Sequence, residues 1–197
     1  MLKQLKCVLA GTLIAVAMAT GAVAGPLEDG MVAATRGDYA TALTLWRPLA
    51  EKGDADAQYN LGTIYDDAHG VPQDYTEAVK WYQLSAEQGL AAAQDKLGFM
   101  YAFAKGVPQD YAAAAKWYQR AAEQGLASAQ RELGGLYASG KGVPQDDVNA
   151  YLWFQLAAAQ NDKAATAWRN MFAHVMTPDQ IAKAERLVRE WKPTPER

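Results

Sequence analysis

The chain has 197 residues, of which half are apolar, 21% are charged and one is a cysteine. This composition is typical of a globular protein that can bury a sizeable core. The formal net charge is −3, with both signs mixed along the chain. The chain therefore lacks the excess of basic residues that binds nucleic acids or anionic lipids, and we expect neither as a partner.

The N-terminal segment has the pattern of an export signal. Lys3 and Lys6 precede an uncharged apolar run over residues 8–19, and small residues at 22–24 suit cleavage before Gly25. The run is shorter than the roughly 20 residues of a membrane helix, so an uncleaved anchor is the weaker alternative. We therefore predict a signal peptide over residues 1–24, a periplasmic or secreted bacterial protein, and no membrane insertion after cleavage.

The only cysteine, Cys7, lies inside this signal. The mature chain is therefore expected to contain no thiol, no disulfide and no cysteine ligand for a metal.

A short helix is predicted over residues 25–37, because Pro26 opens it, Leu27, Met31 and Val32 follow at helical spacing, and Gly37 ends it. We interpret it as an N-terminal cap. In the next helix Pro48 removes a backbone hydrogen bond, so a kink is expected near Thr44.

A repeat of 36 residues follows, since residues 70–106 recur almost letter for letter at 106–142. The tetrapeptide VPQD begins at Val71, Val107 and Val143. A fixed period of this length is typical of stacked two-helix units. The sequence thus predicts an all-α solenoid with about four repeats over residues 38–176.

Each unit carries its own start and stop signals. Asp74, Asp110 and Asp146 are placed to cap the first helix, and Glu77 is placed to complete a capping box. Gly89 and Gly125 are expected to end that helix in the left-handed conformation. A further glycine recurs inside the second helix, where we expect it to let two helix backbones cross closely: Gly62, Gly98 and Gly134.

The fourth unit loses the register in its second half, because Arg169 stands where the pattern predicts leucine. An apolar stripe nevertheless persists at Trp168, Met171, Phe172 and Val175. A last helix over residues 177–192 begins with a Thr177–Gln180 capping box and is predicted to close the end of the solenoid. Its expected buried face comprises Ile181, Ala184, Leu187, Val188 and Trp191, and residues 193–197 form a frayed tail.

The repeated pattern AxxWYxxAAEQGxAxAQxxLGxxYxxGxGVPQDY resembles the Sel-one-like repeat family, relatives of the tetratricopeptide repeats. The resemblance covers about Asp38 to His174. It implies a right-handed solenoid with a concave groove and a role as an adaptor for proteins or peptides. A cysteine-rich branch of the family is linked to penicillin binding, and the absence of mature cysteines separates this chain from that branch.

No catalytic, cofactor or metal site is predicted. Asp66, Asp67 and His69 are close in sequence, but His69 occupies the repeat position of Lys105 and Lys141, where a solvated side chain suffices. No second cluster supplies further metal ligands. The serine–lysine pattern of penicillin-reactive enzymes, GxSxG and phosphate loops are also missing.

Two aromatic sets are candidate partner sites. Trp81, Trp117 and Trp153 are predicted to form a ladder along the rim of the first helices; the alternative is that they pack against the next unit. Phe99 and Phe103 lie four residues apart, away from the predicted buried face. The other units have small or polar residues at these two positions, so stacking does not require them and a contact surface is the hypothesis.

The sequence therefore predicts a non-enzymatic adaptor or scaffold in the bacterial cell envelope that binds a protein or peptide and is a monomer or associates weakly. One alternative is an envelope hydrolase or penicillin-binding activity, as in the cysteine-rich relatives. Another is a structural subunit of a larger assembly that uses the ends of the solenoid.

Overall fold

The computed structural model describes residues 25–194, and the regular structure in this range is entirely α-helical. The predicted signal, residues 1–24, and the last residues of the tail lie outside the described part. The helices are α1 (Pro26–Thr35), α2 (Tyr39–Glu51), α3 (Ala55–Asp66), α4 (Tyr75–Glu87), α5 (Ala91–Ala102), α6 (Tyr111–Glu123), α7 (Ala127–Ser139), α8 (Asp147–Ala158), α9 (Lys163–Val175) and α10 (Pro178–Glu190).

Helices α2 to α9 form four consecutive hairpins, which confirms the predicted solenoid. The second helix of each hairpin packs against the first helix of the next, and α1 packs against α2. Each hairpin has its own cluster of buried apolar side chains, and aromatic residues of the following hairpin pack against it. The core is therefore a row of similar clusters rather than one centre.

The predicted aspartate caps are present. The carboxylate of Asp74 accepts a hydrogen bond from the backbone N–H of Glu77, and Asp110 and Asp146 do the same at α6 and α8. The predicted capping box at Glu77 is wrong, because this carboxylate accepts instead from Lys80 Nζ at 3.0 Å. The box at the start of α10 is confirmed.

The recurring glycine of the second helices has a different neighbour from the one predicted. A Cβ atom at Gly98 would lie 2.6 Å from the ring of Tyr118, and one at Gly134 would lie 2.9 Å from the ring of Phe154. The close approach is therefore between a helix and an aromatic ring from the next hairpin. The predicted close crossing of two helix backbones was therefore wrong. Sequence spacing alone could not show that an aromatic side chain of the next hairpin lies against each glycine.

Buried glutamines join successive hairpins, a feature that the sequence reasoning missed. The side-chain amide of Gln94 donates to the Ala86 carbonyl at 3.1 Å, and Gln124 of the next hairpin donates to Gln94 Oε1 at 2.8 Å. The same pair of bonds occurs one repeat earlier and one repeat later. Buried amides paired in this way set the distance between hairpins.

Candidate functional site

The exposed sides of α4 and α6 carry a row of charged and aromatic residues that no other described helix covers. We call this row the first-helix surface, and it consists of Lys80, Trp81, Leu84, Lys116, Trp117 and Arg120. The two halves are equivalent positions one repeat apart: the lysine and the tryptophan recur, whereas Leu84 on α4 is replaced by Arg120 on α6.

The tryptophans of the predicted ladder differ in exposure. Trp81 and Trp117 are half-buried, whereas Trp153 is only 7% exposed and belongs to the core. Each packs against the cluster of the preceding hairpin, not the next one as the packing alternative supposed. Trp81 and Trp117 are therefore partly accessible to solvent, while Trp153 is almost fully buried.

The α6 part of the surface forms a shallow pocket of about 210 Å³, lined by Asp110, Ala112, Ala113, Lys116, Trp117 and Arg120. The Arg120 guanidinium lies 4.7 Å from the Trp117 ring, a cation–π geometry that holds this cation over the pocket. The Asp110 carboxylate accepts hydrogen bonds from the backbone N–H groups of Ala112 and Ala113 at 2.9 Å. Among the described residues neither Lys116 nor Arg120 forms an ion pair, so both cations can pair with a ligand next to the indole that Arg120 contacts.

Helix α10 covers the equivalent face of α8. Leu152 and Leu156 are buried there, at the positions that Lys116 and Arg120 hold on α6. The face of α10 that packs against this cluster includes Leu187, Val188 and Trp191, as predicted. The change from cations to leucines is the signal by which the sequence could have located α10.

The C-terminal tail continues from α10 to the end of α6. The backbone N–H of Thr194 donates to the Glu123 carbonyl at 2.7 Å, and the Trp191 ring lies beside Gly125. Helix α10 therefore crosses α8 and ends next to the α6 part of the first-helix surface.

The placement of α10 determines which part of the last hairpin stays exposed. Helix α10 packs on α8 and leaves much of the α9 stripe uncovered, with Trp168 48%, Met171 43% and Val175 70% exposed. Only Ala165 and Phe172 of α9 are buried. The helical spacing of these apolar residues suggested a buried face. Spacing within α9 does not determine which surface of the last hairpin α10 packs against.

The comparisons with known proteins agree with this architecture. The sequence model of the Sel1 repeat matches residues 55–90, 91–126 and 127–162, which is more than half of the chain. The chain belongs to the Sel1 repeat family. Each matched repeat begins at the second helix of a hairpin and ends after the first helix of the next one.

Two solved structures are similar to this Sel1 repeat protein. A Sel1 repeat protein from Oxalobacter formigenes is 32% identical, with a TM-score of 0.71 over 74% of this chain and 60% of the other. The protective antigen c5321 of uropathogenic Escherichia coli, which displays the SLR fold, is 31% identical, with a TM-score of 0.53 over 84% of this chain and 44% of the other. This chain thus spans less than two thirds of either protein. No curated protein matches it.

The predicted phenylalanine pair is split between the core and the surface of the Sel1 repeats. Phe103 follows α5 and is 59% exposed, but Phe99 is half-buried and packs against the clusters of two hairpins. Their ring centroids are 4.7 Å apart, and Lys105 Nζ lies 5.0 Å from the Phe99 ring. The prediction that both point away from the buried face is therefore wrong for Phe99.

His69 also has a defined contact, contrary to the expectation of a merely solvated side chain. Its ring stacks on Tyr39 with centroids 4.3 Å apart, and Lys141 lies 5.2 Å from the ring of Tyr111 at the equivalent place. Across residues 25–194, no three His, Cys, Asp or Glu side chains are grouped as a metal site requires. Among the described helices, none has the length and hydropathy of a membrane span.

The carboxyl group of Asp95 has a raised pKa and lies away from the first-helix surface. Burial raises the pKa of Asp95 to about 6, against a hydrogen bond from Ser128 Oγ at 3.1 Å that lowers it. Glu132 raises this pKa further. The side chain lies between α5 and α7, where its protonation bears on packing between hairpins.

Proposed function

We propose that this protein is an exported, non-enzymatic adaptor that holds a peptide or protein segment on its first-helix surface. Sel1 repeats generally mediate protein–protein interaction. The observation that carries the proposal is the contrast between α8 and α6: the same face is covered by the chain's own α10 on α8 and is free on α6. A surface that already packs a helix at one repeat is suited to pack a segment of a partner at the next.

The location in the cell envelope is supported by the leader sequence. Residues 1–24 combine two lysines, an apolar run and small residues before Gly25, the pattern that export machinery reads. An adaptor in that compartment would meet other exported proteins, and these are the partners to search.

The test is cross-linking capture from an envelope extract with three baits. They are the unchanged protein, a Trp81→Ala/Trp117→Ala variant, and a Phe99→Ala/Phe103→Ala variant, each checked for the same helical circular dichroism. We expect a partner that the unchanged protein and the Phe variant capture and that the Trp variant loses. Equal capture by all three baits, or loss with the Phe pair alone, would place binding elsewhere and contradict the proposal.

A further inference from the structure

We infer that the segment held on the first-helix surface is an amphipathic helix with acidic side chains, which lies beside α10 across α6 and α4. Its apolar side packs on Trp117 and Trp81, and its carboxylates pair with Lys116 and Arg120. This inference rests on the proposed function and adds the chemistry of the partner.

The helical form follows from α10, which is an occupant of this same face. The apolar residues Leu187, Val188 and Trp191 at the end of α10 pack on a buried cluster of α6, α7 and α8 residues that contains Trp153. Trp117 is the counterpart of Trp153 one repeat earlier. It is only half-buried, because no helix covers it as α10 covers the α8 face. A second helix beside α10 would complete on α6 the contact that α10 makes on α8, and the tail of α10 already borders that site.

The acidic character follows from the charges that the surface leaves unpaired. Lys116 and Arg120 are exposed, and the nearby carboxylates have other partners: Asp110 caps α6, and Glu123 accepts from Gln119 Nε2 at 2.8 Å. On α4, Lys80 is paired with Glu77 at 3.0 Å. The two exposed cations of α6 therefore form no ion pair among the described residues and are available to carboxylates of a partner.

The neighbouring charges of α10 do not cancel this patch. Arg189 and Glu185 lie 4.0 Å apart on α10 and offset one another. Because exposed pairs are weak and screened by salt, the carboxylates are expected to set the preference for a partner and its salt dependence, while the indoles supply the apolar contact.

The experiment uses the protein of residues 1–197 and two synthetic peptides. Both peptides copy residues 177–194, so they share the apolar stripe of α10. In the acidic probe the four cationic residues are replaced by glutamate: Lys183, Arg186, Arg189 and Lys192. In the neutral probe these four residues and the three acidic residues Asp179, Glu185 and Glu190 are all replaced by glutamine. Binding is measured by fluorescence anisotropy with a neutral dye, at low salt and at about 0.5 M NaCl.

The acidic probe is expected to bind at least about tenfold more tightly than the neutral probe at low salt, and the difference should shrink at high salt as the Debye length falls to a few ångström. Lys116→Glu/Arg120→Glu should remove the preference or reverse it. Arg36→Glu/Lys163→Glu changes the net charge by the same amount on α1 and α9 and should leave the preference in place. Lys116→Gln/Arg120→Gln repeats the test with a milder change if the reversed variant unfolds.

The outcomes separate the two levels of the proposal. If both probes bind equally and Trp117→Ala abolishes binding, the surface is a docking site but the acidic partner is wrong. If the control variant loses the preference as fully as Lys116→Glu/Arg120→Glu, the effect is one of net charge and the patch is not the site. If neither probe binds, the helical occupant is overturned, while the capture experiment still decides whether a partner of another form uses this surface.

Discussion

Two adjacent glycines of α7 offer a direct test of how the hairpins pack. Gly134 faces the next hairpin, where a Cβ atom would lie 2.9 Å from two atoms of the Phe154 ring. Gly135 is its neighbour in the same helix, and a Cβ atom there would meet nothing within 4 Å. Alanine at either position gains the same helix propensity, about 1 kcal/mol, so the two variants differ only in the ring contact.

Gly135→Ala should therefore raise the free energy of unfolding by up to about 1 kcal/mol. In Gly134→Ala the same gain is opposed by overpacking against a buried ring, which costs about 1–3 kcal/mol in a well-packed core. The two variants should differ by about 1–3 kcal/mol, which corresponds to roughly 2–12 °C in melting temperature for a chain of this size. Urea midpoints and thermal melts followed by circular dichroism at 222 nm measure the difference.

Equal stability of the two alanine variants would contradict this packing, because the Phe154 ring would then not be held against the helix at Gly134. Gly98→Ala provides an independent check, since its Cβ would lie 2.6 Å from the Tyr118 ring and it should be at least as destabilised as Gly134→Ala.

Three further predictions concern the contacts between elements. Asp95 has a pKa of about 6 in the folded chain and about 3.9 in the unfolded chain, so its contribution lowers the free energy of unfolding as pH rises from 4 to 6. The Asp95→Asn variant should therefore be about 1–2 kcal/mol more stable than the unchanged protein at pH 8 but not at pH 3.5. Urea midpoints at the two pH values measure this difference. Gln94→Met removes a buried amide from the ladder between hairpins and should cost about 1–2 kcal/mol, whereas Gln83→Met on the exposed side of α4 should change stability by less than about 0.5 kcal/mol in the same assay. Trp191→Ala should loosen the end of α10 from the buried cluster that it packs against, so limited proteolysis should cut within α10 first. Cleavage no faster than in the unchanged protein would contradict the placement of α10.

The local features of this chain were readable without a structure because each depends on neighbours in sequence. Asp74 caps α4 through an amide three residues away, and Gly89 takes a positive φ of 101° just after α4, as predicted. The repeat then multiplies these signals. Where two local signals competed, as at Glu77, the prediction failed because Lys80 offers the carboxylate a nearer charged partner.

The candidate site was only partly readable, because exposure depends on elements far away in the chain. Trp117 and Trp153 occupy the same repeat position, yet one borders solvent and the other is core. The difference arises from α10, which packs against the cluster around Trp153. Similarly, Phe99 has no obligatory role in the repeat but is half-buried by the hairpin that follows it.

The all-α repeat, its period, the helix ends and the family could be predicted from the residues alone, since these follow from hydrogen bonding and packing within and between neighbouring units. The tertiary structure alone decided that α10 crosses α8 instead of covering α9, and with it which tryptophans and cations remain free. An amphipathic helix determines which of its own faces is buried. The surface that it packs against depends instead on the shape and the apolar area of the rest of the fold.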